Sequence, residues 1–463
     1  MALKDIFQFI PEVTKPEEKK LGFNIKLKWT LIILGAFFVL ANIPLFGLSR
    51  NALDRFEYLA IIMGTDFGSI ISLGIGPIVM ASIILQLLTG AGILNINTAT
   101  VEGKKFFQGL QKLLVFFFIV FEAMVYVFMN GLQALPGFTG IVILQLILGG
   151  LAIFYMNELC EKWGFGSGVS LFIAAGVSWR IFSSAFQFIN QQGKSCLVDF
   201  SGTACSGKVL ILIQSIIQKY PLEFISALGA IVATIIIFLA VVWAQSLKVE
   251  IPLSYGKIRG YGVKWPLSFF YASVIPVILA AALIANLQLF GGLLENWVGH
   301  ATWLGHFVDG QAVSGLSFWV GSTNLLELAI RGGLLWQHVL QGLIHTLTFI
   351  ILCTVFSIFW VKSSGMDSQA QAKKIASSGL QVAGFRQDIR ILESILDRYI
   401  MPLTVMGGAA IGFLASITNL LGALVSGTAI LLVIMIMYQF YQSIAQQHMT
   451  DMNPAMKKFM GGQ

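Results

Sequence analysis

Ile70-Ile-Ser-Leu-Gly-Ile-Gly-Pro-Ile-Val79, continued by Met80-Ala-Ser-Ile-Ile-Leu-Gln-Leu-Leu-Thr-Gly90, contains no charged side chain. It has the roughly 20 residues that an α-helix needs to cross the hydrocarbon of a bilayer. Gly74, Gly76 and Pro77 lie so close together that an isolated helix would be weakened there. A membrane bundle accommodates them, because small residues let backbones approach and neighbours satisfy the carbonyl that proline frees. The stretch therefore reads as a helix lining a central passage, with Ile75 and Val79 facing it.

Composition carries that reading to the whole chain. Hydrophobic residues make up 57% of the 463 positions and charged residues 11%, against roughly 25% charged in a soluble globular chain. Too few polar side chains remain to coat several water-facing domains. Intrinsic disorder, collagen and nucleic-acid arms are excluded on the same grounds, leaving an all-α polytopic membrane protein.

Ten segments reach spanning length, near 29–48, 70–90, 113–132, 140–157, 169–189, 224–245, 267–289, 338–361, 402–421 and 424–442. Val209–Ile217 is too short, and Ala312–Ile330 is interrupted by Gly315, Gly321, Ser322, Asn324 and Glu327. With the N-terminus in the cytosol, most of the 29 basic residues fall on the cytosolic side, as the positive-inside rule requires. Making 312–330 a span would move the basic loop 362–400 and the tail outside, so that reading is rejected.

The expected order is a cytosolic segment 1–28, a half 29–190, an external hinge segment 191–223, a half 224–442 and a cytosolic tail 443–463. The first 28 residues lack a cleavable signal peptide, and Leu3, Ile6, Phe7 and Ile10 suit either a short interfacial helix or a partly ordered tail. Five spans per half force the halves into opposite orientations if they are structural repeats, an inverted architecture with its working site between them.

Other stretches depart from plain spans. Phe56, Leu59, Ala60 and Met63 form an apolar stripe between the first two spans, ended by Gly64 and Gly68. It suits either a half-helix tucked into the outer side or an interfacial helix on the bilayer. Glu122 is the only acidic residue inside a span, and Asn286 is the expected polar partner from another span. Period-two alternation on both sides of Gly256-Lys-Ile-Arg-Gly260 predicts a β-hairpin in loop 246–266. The basic tips of this loop and of 362–400 suit RNA phosphates, although positive-inside sorting alone would also make them basic. Cys196 and Cys205 share the external segment, where a disulfide is permitted.

No enzyme signature emerges: HExxH, paired zinc cysteines and G-x-S-x-G are all absent. Gly193-Lys194-Ser195 imitates the end of a P-loop, but Phe188 stands where the opening glycine belongs. His338 and His345 share a helix face and read as packing residues. No cofactor is expected.

Ile71-Ser-Leu-Gly-Ile-Gly-Pro-Ile-Val, Gly166-Ser-Gly-Val-Ser-Leu-Phe-Ile-Ala-Ala-Gly and Ile275-Pro-Val-Ile-Leu-Ala-Ala-Ala-Leu-Ile-Ala-Asn closely resemble the SecY family. So do Gly379-Leu-Gln-Val-Ala-Gly-Phe-Arg, Asp397-Arg-Tyr-Ile and Gly427-Thr-Ala-Ile-Leu-Leu, in the family's order from end to end. Lys26-Leu-Lys-Trp-Thr is similar to the archaeal branch.

The resemblance implies the pore subunit of a protein-conducting channel. Its ten helices would form two pseudo-symmetric inverted halves around an hourglass pore. By motif position, the constriction would fall on Ile75, Val79, Val169, Ile173, Ile278 and Leu432. The stripe at about 55–64 would be the plug, and Glu122 and Asn286 would belong to a lateral gate. Loops 246–266 and 362–400 would dock the ribosome, including ribosomal RNA, through Lys257, Arg259, Lys264, Arg386 and Arg390. Implied partners are SecE-type and beta-type small subunits, signal peptides, nascent polypeptides and the lipid bilayer, in the cell membrane. Met80 replaces a common gate threonine, while Ala383 and Met401 replace common prolines.

A competing class is a secondary transporter with five-plus-five inverted repeats, which needs a polar midplane site. Only Glu122 would serve it.

Overall fold

A computed structural model describes residues 11–17, 21–51, 67–90, 93–94, 96, 100–129, 131–188, 196, 205–255, 262–272, 274–308, 311–377, 380–382 and 388–452. Nine of the described helices are long and apolar enough to cross a membrane. They are α1 (Phe23–Ala41), α3 (Val101–Phe128), α4 (Thr139–Trp163), α5 (Gly168–Phe186), α7 (Pro221–Gln245), α8 (Ile275–Val298), α11 (Trp336–Ser363), α13 (Ile389–Leu420) and α14 (Gly427–Met452). The shorter helices are α2 (Gly76–Gly90), α6 (Lys208–Gln218), α9 (Leu316–Val320), α10 (Leu325–Ile330) and α12 (Ser368–Ser377).

The expected span 70–90 is helical only from Gly76. Ser72, Gly74 and Gly76 donate to Ser69, Ile71 and Leu73, giving successive turns, and Gly74 takes a positive φ of 52°. The Ser72 hydroxyl accepts from Gly68 N–H at 2.8 Å and donates to Ser69 O at 2.5 Å, so this irregular backbone satisfies its own polar groups. Helix α2 is then about 22 Å long at 1.5 Å per residue. The run resembles buried irregular backbone more than a lipid-facing span.

Boundaries shift elsewhere for similar reasons. Residues 267–268 end a strand rather than start a helix, and α8 begins at Ile275 with Pro276 in its first turn. Helix α13 starts at Ile389, more than three turns before the expected 402, capped by Asp388, which accepts from Arg390 N–H at 2.9 Å. Residues 312–330 form part of a hairpin and the two short helices α9 and α10.

Seven strands are present among the described residues: β1 (Leu48–Asn51), β2 (Leu132–Ala134), β3 (Lys248–Tyr255), β4 (Gly262–Ser268), β5 (His306–Val308), β6 (Gln311–Ser314) and β7 (Leu380–Val382). Antiparallel β1 and β2 tie the segment after α1 to the segment after α3. The hairpin expected in loop 246–266 is present, pairing Lys248 with Ser268 through to Ser254 with Gly262. Strand β7 adds to its edge, Leu253 opposite Val382, so the two long loops fold together. Beneath the sheet a separate core joins Ile251, Leu267, Tyr271, Val361, Ala372, Ile375, Leu392 and Leu396. The Tyr271 hydroxyl donates to Met366 O at 2.7 Å.

The main core is one continuous apolar cluster drawn from α1 to α5, α7, α8, α11, α13 and α14. Helix α8 is its most buried helix, since Ala280, Ala281, Ala282 and Ala285 let neighbouring backbones close in.

Candidate pore and gate

The six residues expected at the constriction come from four helix starts. Ile75 ends the irregular turn and Val79 opens α2. Val169 and Ile173 lie in the first turns of α5, Ile278 in the first turn of α8, and Leu432 early in α14. All six join the main core. Ile75, Val79, Ile173, Ile278 and Leu432 are buried, and Val169 packs half-buried against that core. They offer branched aliphatic surface with no hydrogen-bonding group.

Contacts between the first five long elements and the last five concentrate in two seams. In one, α2 packs on α8 and α11; in the other, α14 packs on α5 and α1. Gly90 closes the first seam, because Phe359 occupies the space a Cβ would need. Gln86 is buried in α2, and its Oε1 has no hydrogen-bond partner among the described residues.

Glu122 in α3 is 1% exposed and Asn286 in α8 is 2% exposed. The structure corrects their expected pairing. The Asn286 amide donates to Ala282 O of its own helix at 2.9 Å, and neither its Oδ1 nor the Glu122 carboxyl has a partner among the described residues. The physical reason is local: an asparagine inside a helix readily bonds back to the i−4 carbonyl. Near Glu122, Tyr126 stacks edge-on to Phe67 at 6.4 Å between centroids.

Charged groups gather at the end of α3 and α4 nearest the chain start. Lys112 Nζ lies 2.5 Å from Glu12 Oε1 and 2.7 Å from Glu158 Oε1, and Lys162 reaches Glu158 at 2.9 Å. Lys162 also donates to Val13 O at 2.5 Å, Trp163 Nε1 to Thr14 O at 3.0 Å and Val13 N–H to Glu158 at 3.3 Å. Residues 11–17 are thereby strapped across α3 and α4. The Lys112 hydrogen bond holds the Glu12 carboxyl below its ordinary range. A cleft of about 600 Å³ opens beside this network, floored by Ile78, Val115 and Phe154.

At the other end a polar depression of about 980 Å³ is lined by Arg180, Gln288, Asn324, Glu327, Gln341 and Asn419, among others. Sequence reading gave His345 only a packing role. It is buried and holds two contacts, Nδ1 to Val320 O at 2.7 Å and Nε2 to the Asn419 amide at 3.3 Å. Gln341, one turn earlier, donates to Phe318 O at 2.8 Å. Two residues with hydrogen-bonding side chains at i and i+4 on one helix face were the signal available.

Phe56, Leu59, Ala60 and Met63, expected to form a plug, lie outside the described residues, as do Lys257, Arg259 and Arg386. Lys264 pairs through its backbone with Pro252, and Arg390 is exposed at the start of α13. Cys196 and Cys205 are joined as a disulfide, Cα atoms 5.5 Å apart. Among the described residues no cluster of His, Cys, Asp or Glu could hold a metal.

Comparison with known proteins matches residues 69–441 to the family described as SecY and residues 36–68 to the plug domain of Sec61p. The chain is 40% identical over 461 residues to the protein translocase subunit SecY of Methanothermobacter thermautotrophicus, covering 98% of each chain. It is 38% identical over 457 residues to that of Methanocaldococcus jannaschii, again covering 98% of each. Among solved structures, a protein conducting channel superposes with TM-score 0.84 at 37% identity, covering 99% of this chain and 100% of that one. Sec61 of the canine ribosome-channel complex gives TM-score 0.80 at 37% identity, with the same coverage. These likenesses support a channel and not the transporter alternative.

Proposed function

The chain belongs to the SecY family of protein-conducting channels, and from that premise we propose that Ile75, Val79, Val169, Ile173, Ile278 and Leu432 form its constriction. One observation carries this reading: six aliphatic side chains, placed at the starts of α2, α5, α8 and α14, all belong to or pack against one continuous apolar core that joins both ends of the chain. A channel for unfolded chains must accept any side chain while holding back ions. A polar wall would bind some substrates and conduct water. A ring without hydrogen-bonding groups conforms to whatever passes and gates by dewetting when idle.

In the same reading the two halves, 29–190 and 224–442, are inverted repeats joined by 191–223, and residues at about 55–64 plug the external side. The seam of α2 against α8 and α11 opens sideways as the lateral gate, with Glu122 and Asn286 beside it. Apolar segments leave by that route, since each central Leu or Ile favours lipid by a few tenths of a kcal/mol, summed over ~20 residues. Small SecE-type and beta-type subunits complete a heterotrimer in the cell membrane, with both termini cytosolic. The sheet of β3, β4 and β7 presents the ribosome-docking end, through Lys257, Arg259, Lys264, Arg386 and Arg390. Signal peptides and nascent chains enter from that side.

The test is resting conductance in planar bilayers. Replacing Ile75, Val79 and Ile278 together with Asn is expected to raise it at least tenfold, and unchanged conductance rejects the ring.

A further inference from the structure

We infer that His345 is a positioning residue for the start of α14 and, through it, for Leu432, an inference that rests on the ring reading above. A three-link hydrogen-bond chain carries it. Val320 closes the short helix α9, and its carbonyl is one of those a helix end leaves without an internal partner. His345 Nδ1 meets that carbonyl at 2.7 Å. A carbonyl can only accept, so Nδ1 carries the proton and Nε2, in the neutral ring, is an acceptor. Asn419 supplies the matching donor, its amide nitrogen 3.3 Å from Nε2. That choice orients the amide, and its Oδ1 accepts from Thr428 N–H at 2.9 Å.

Thr428 N–H belongs to the first turn of α14, where helical amides lack internal acceptors. Asn419 therefore acts as a cap supplied by a different helix, and His345 fixes which way that cap faces. Packing leaves little slack: Gly427 sits directly against the Thr418 backbone, so α14 begins hard against the end of α13. Leu432, fully buried, follows one turn after Thr428. His345 is thus fixed as a neutral tautomer by both neighbours, with the Phe349 ring 5.3 Å away on its own helix.

The histidine has two functions that substitution can separate. In His345→Asn the amide lies near the place of Nδ1, keeping the link to Val320 and withdrawing the acceptor from Asn419. In His345→Gln the amide reaches the place of Nε2 and keeps the acceptor. The full chain is assayed by resting conductance in planar bilayers and by amide hydrogen exchange over the first turns of α14. His345→Asn is expected to raise conductance at least fivefold and speed exchange at least tenfold, while His345→Gln stays within twofold of the parent in both.

Equal behaviour of the two variants, whether both silent or both leaky, overturns the inference, because a packing role would not distinguish them. Leu432→Asn runs in parallel. If it leaks while His345→Asn does not, the positioning role falls and the ring stands. If Leu432→Asn is silent, the ring falls; exchange alone then decides, with fast exchange confined to His345→Asn supporting the positioning role and unchanged exchange overturning it.

Discussion

Lys112 on α3 and Glu158 on α4 meet at 2.7 Å, and the same Glu158 oxygen takes Lys162 at 2.9 Å. Glu158 is 5% exposed, so this carboxylate is one that cannot simply be returned to water when a partner is lost. With Glu12 and the backbone of Val13 it holds the incoming chain segment across the two helices.

This network predicts an acid edge to stability. Glu12 has a lowered pKa, so its contribution is present above the ordinary carboxylate range and disappears as pH falls through the folded value. Thermal unfolding of the detergent-solubilised chain should therefore be flat above about pH 5 and fall below it. Glu158→Gln should lower stability by about 1–3 kcal/mol above that edge.

Glu122 makes the opposite prediction. Its buried carboxyl has no partner among the described residues, and a buried polar group left unsatisfied costs about 1–3 kcal/mol. Glu122→Met keeps the length and removes the polar atoms, so the melting temperature of the resting chain should rise. Release of a marginally apolar test segment into lipid, followed by protease protection, should be impaired at the same time. A fall in stability would mean that the carboxyl is satisfied and that its burial is structural.

Much of this was legible in the sequence wherever a local rule applied. Apolar length gave the spans, alternation around Gly256 and Gly260 gave the β3–β4 hairpin, and interruptions at Gly315 and Gly321 kept 312–330 from spanning. Features created by distant residues were not. Strand β7 joins β3 across a gap of more than a hundred residues, and Asn419 caps a helix to which it does not belong. The pairing of Glu122 with Asn286 was misread for the opposite, local reason: the competing Ala282 carbonyl lies one turn away in the same helix. Residues 70–75 carried their warning in Gly74, Gly76 and Pro77, but only the surrounding packing decided between a bent helix and successive turns.

The disulfide closes a short loop, Cys205 lying nine positions after Cys196. The chain-entropy relation gives about 2.5 kcal/mol for a loop of that size. Leu210 and Ile211 pack against the pair, so the cross-link also anchors the start of α6. Cys196→Ser should therefore raise protease sensitivity just before α6 while leaving the main melting transition nearly unchanged. Non-reducing peptide mapping checks the bond, and two free thiols in the parent chain would remove the basis of the prediction.

Adjacent glycines in α4 provide the sharpest contrast. A Cβ on Gly149 would fall on the backbone carbonyl of Ile70, whereas a Cβ on Gly150 would meet only side-chain ends, Ile119 Cγ2 at 2.9 Å and Leu73 Cδ1 at 3.1 Å. Side chains can give by a few tenths of an ångström, but the Ile70 backbone is held by its N–H bond to Ile43 O at 2.9 Å and leads directly into the turns ending at Ile75. Gly149→Ala should therefore destabilise the chain by about 1–3 kcal/mol and displace the turn, raising resting conductance. Gly150→Ala should cost less than Gly149→Ala, about 1 kcal/mol, and leave conductance unchanged. Paired melting and bilayer measurements separate the two cases. Equal losses at both positions would show that the 70–75 turn yields as readily as a side chain, and that Ile75 is not held in place by α4.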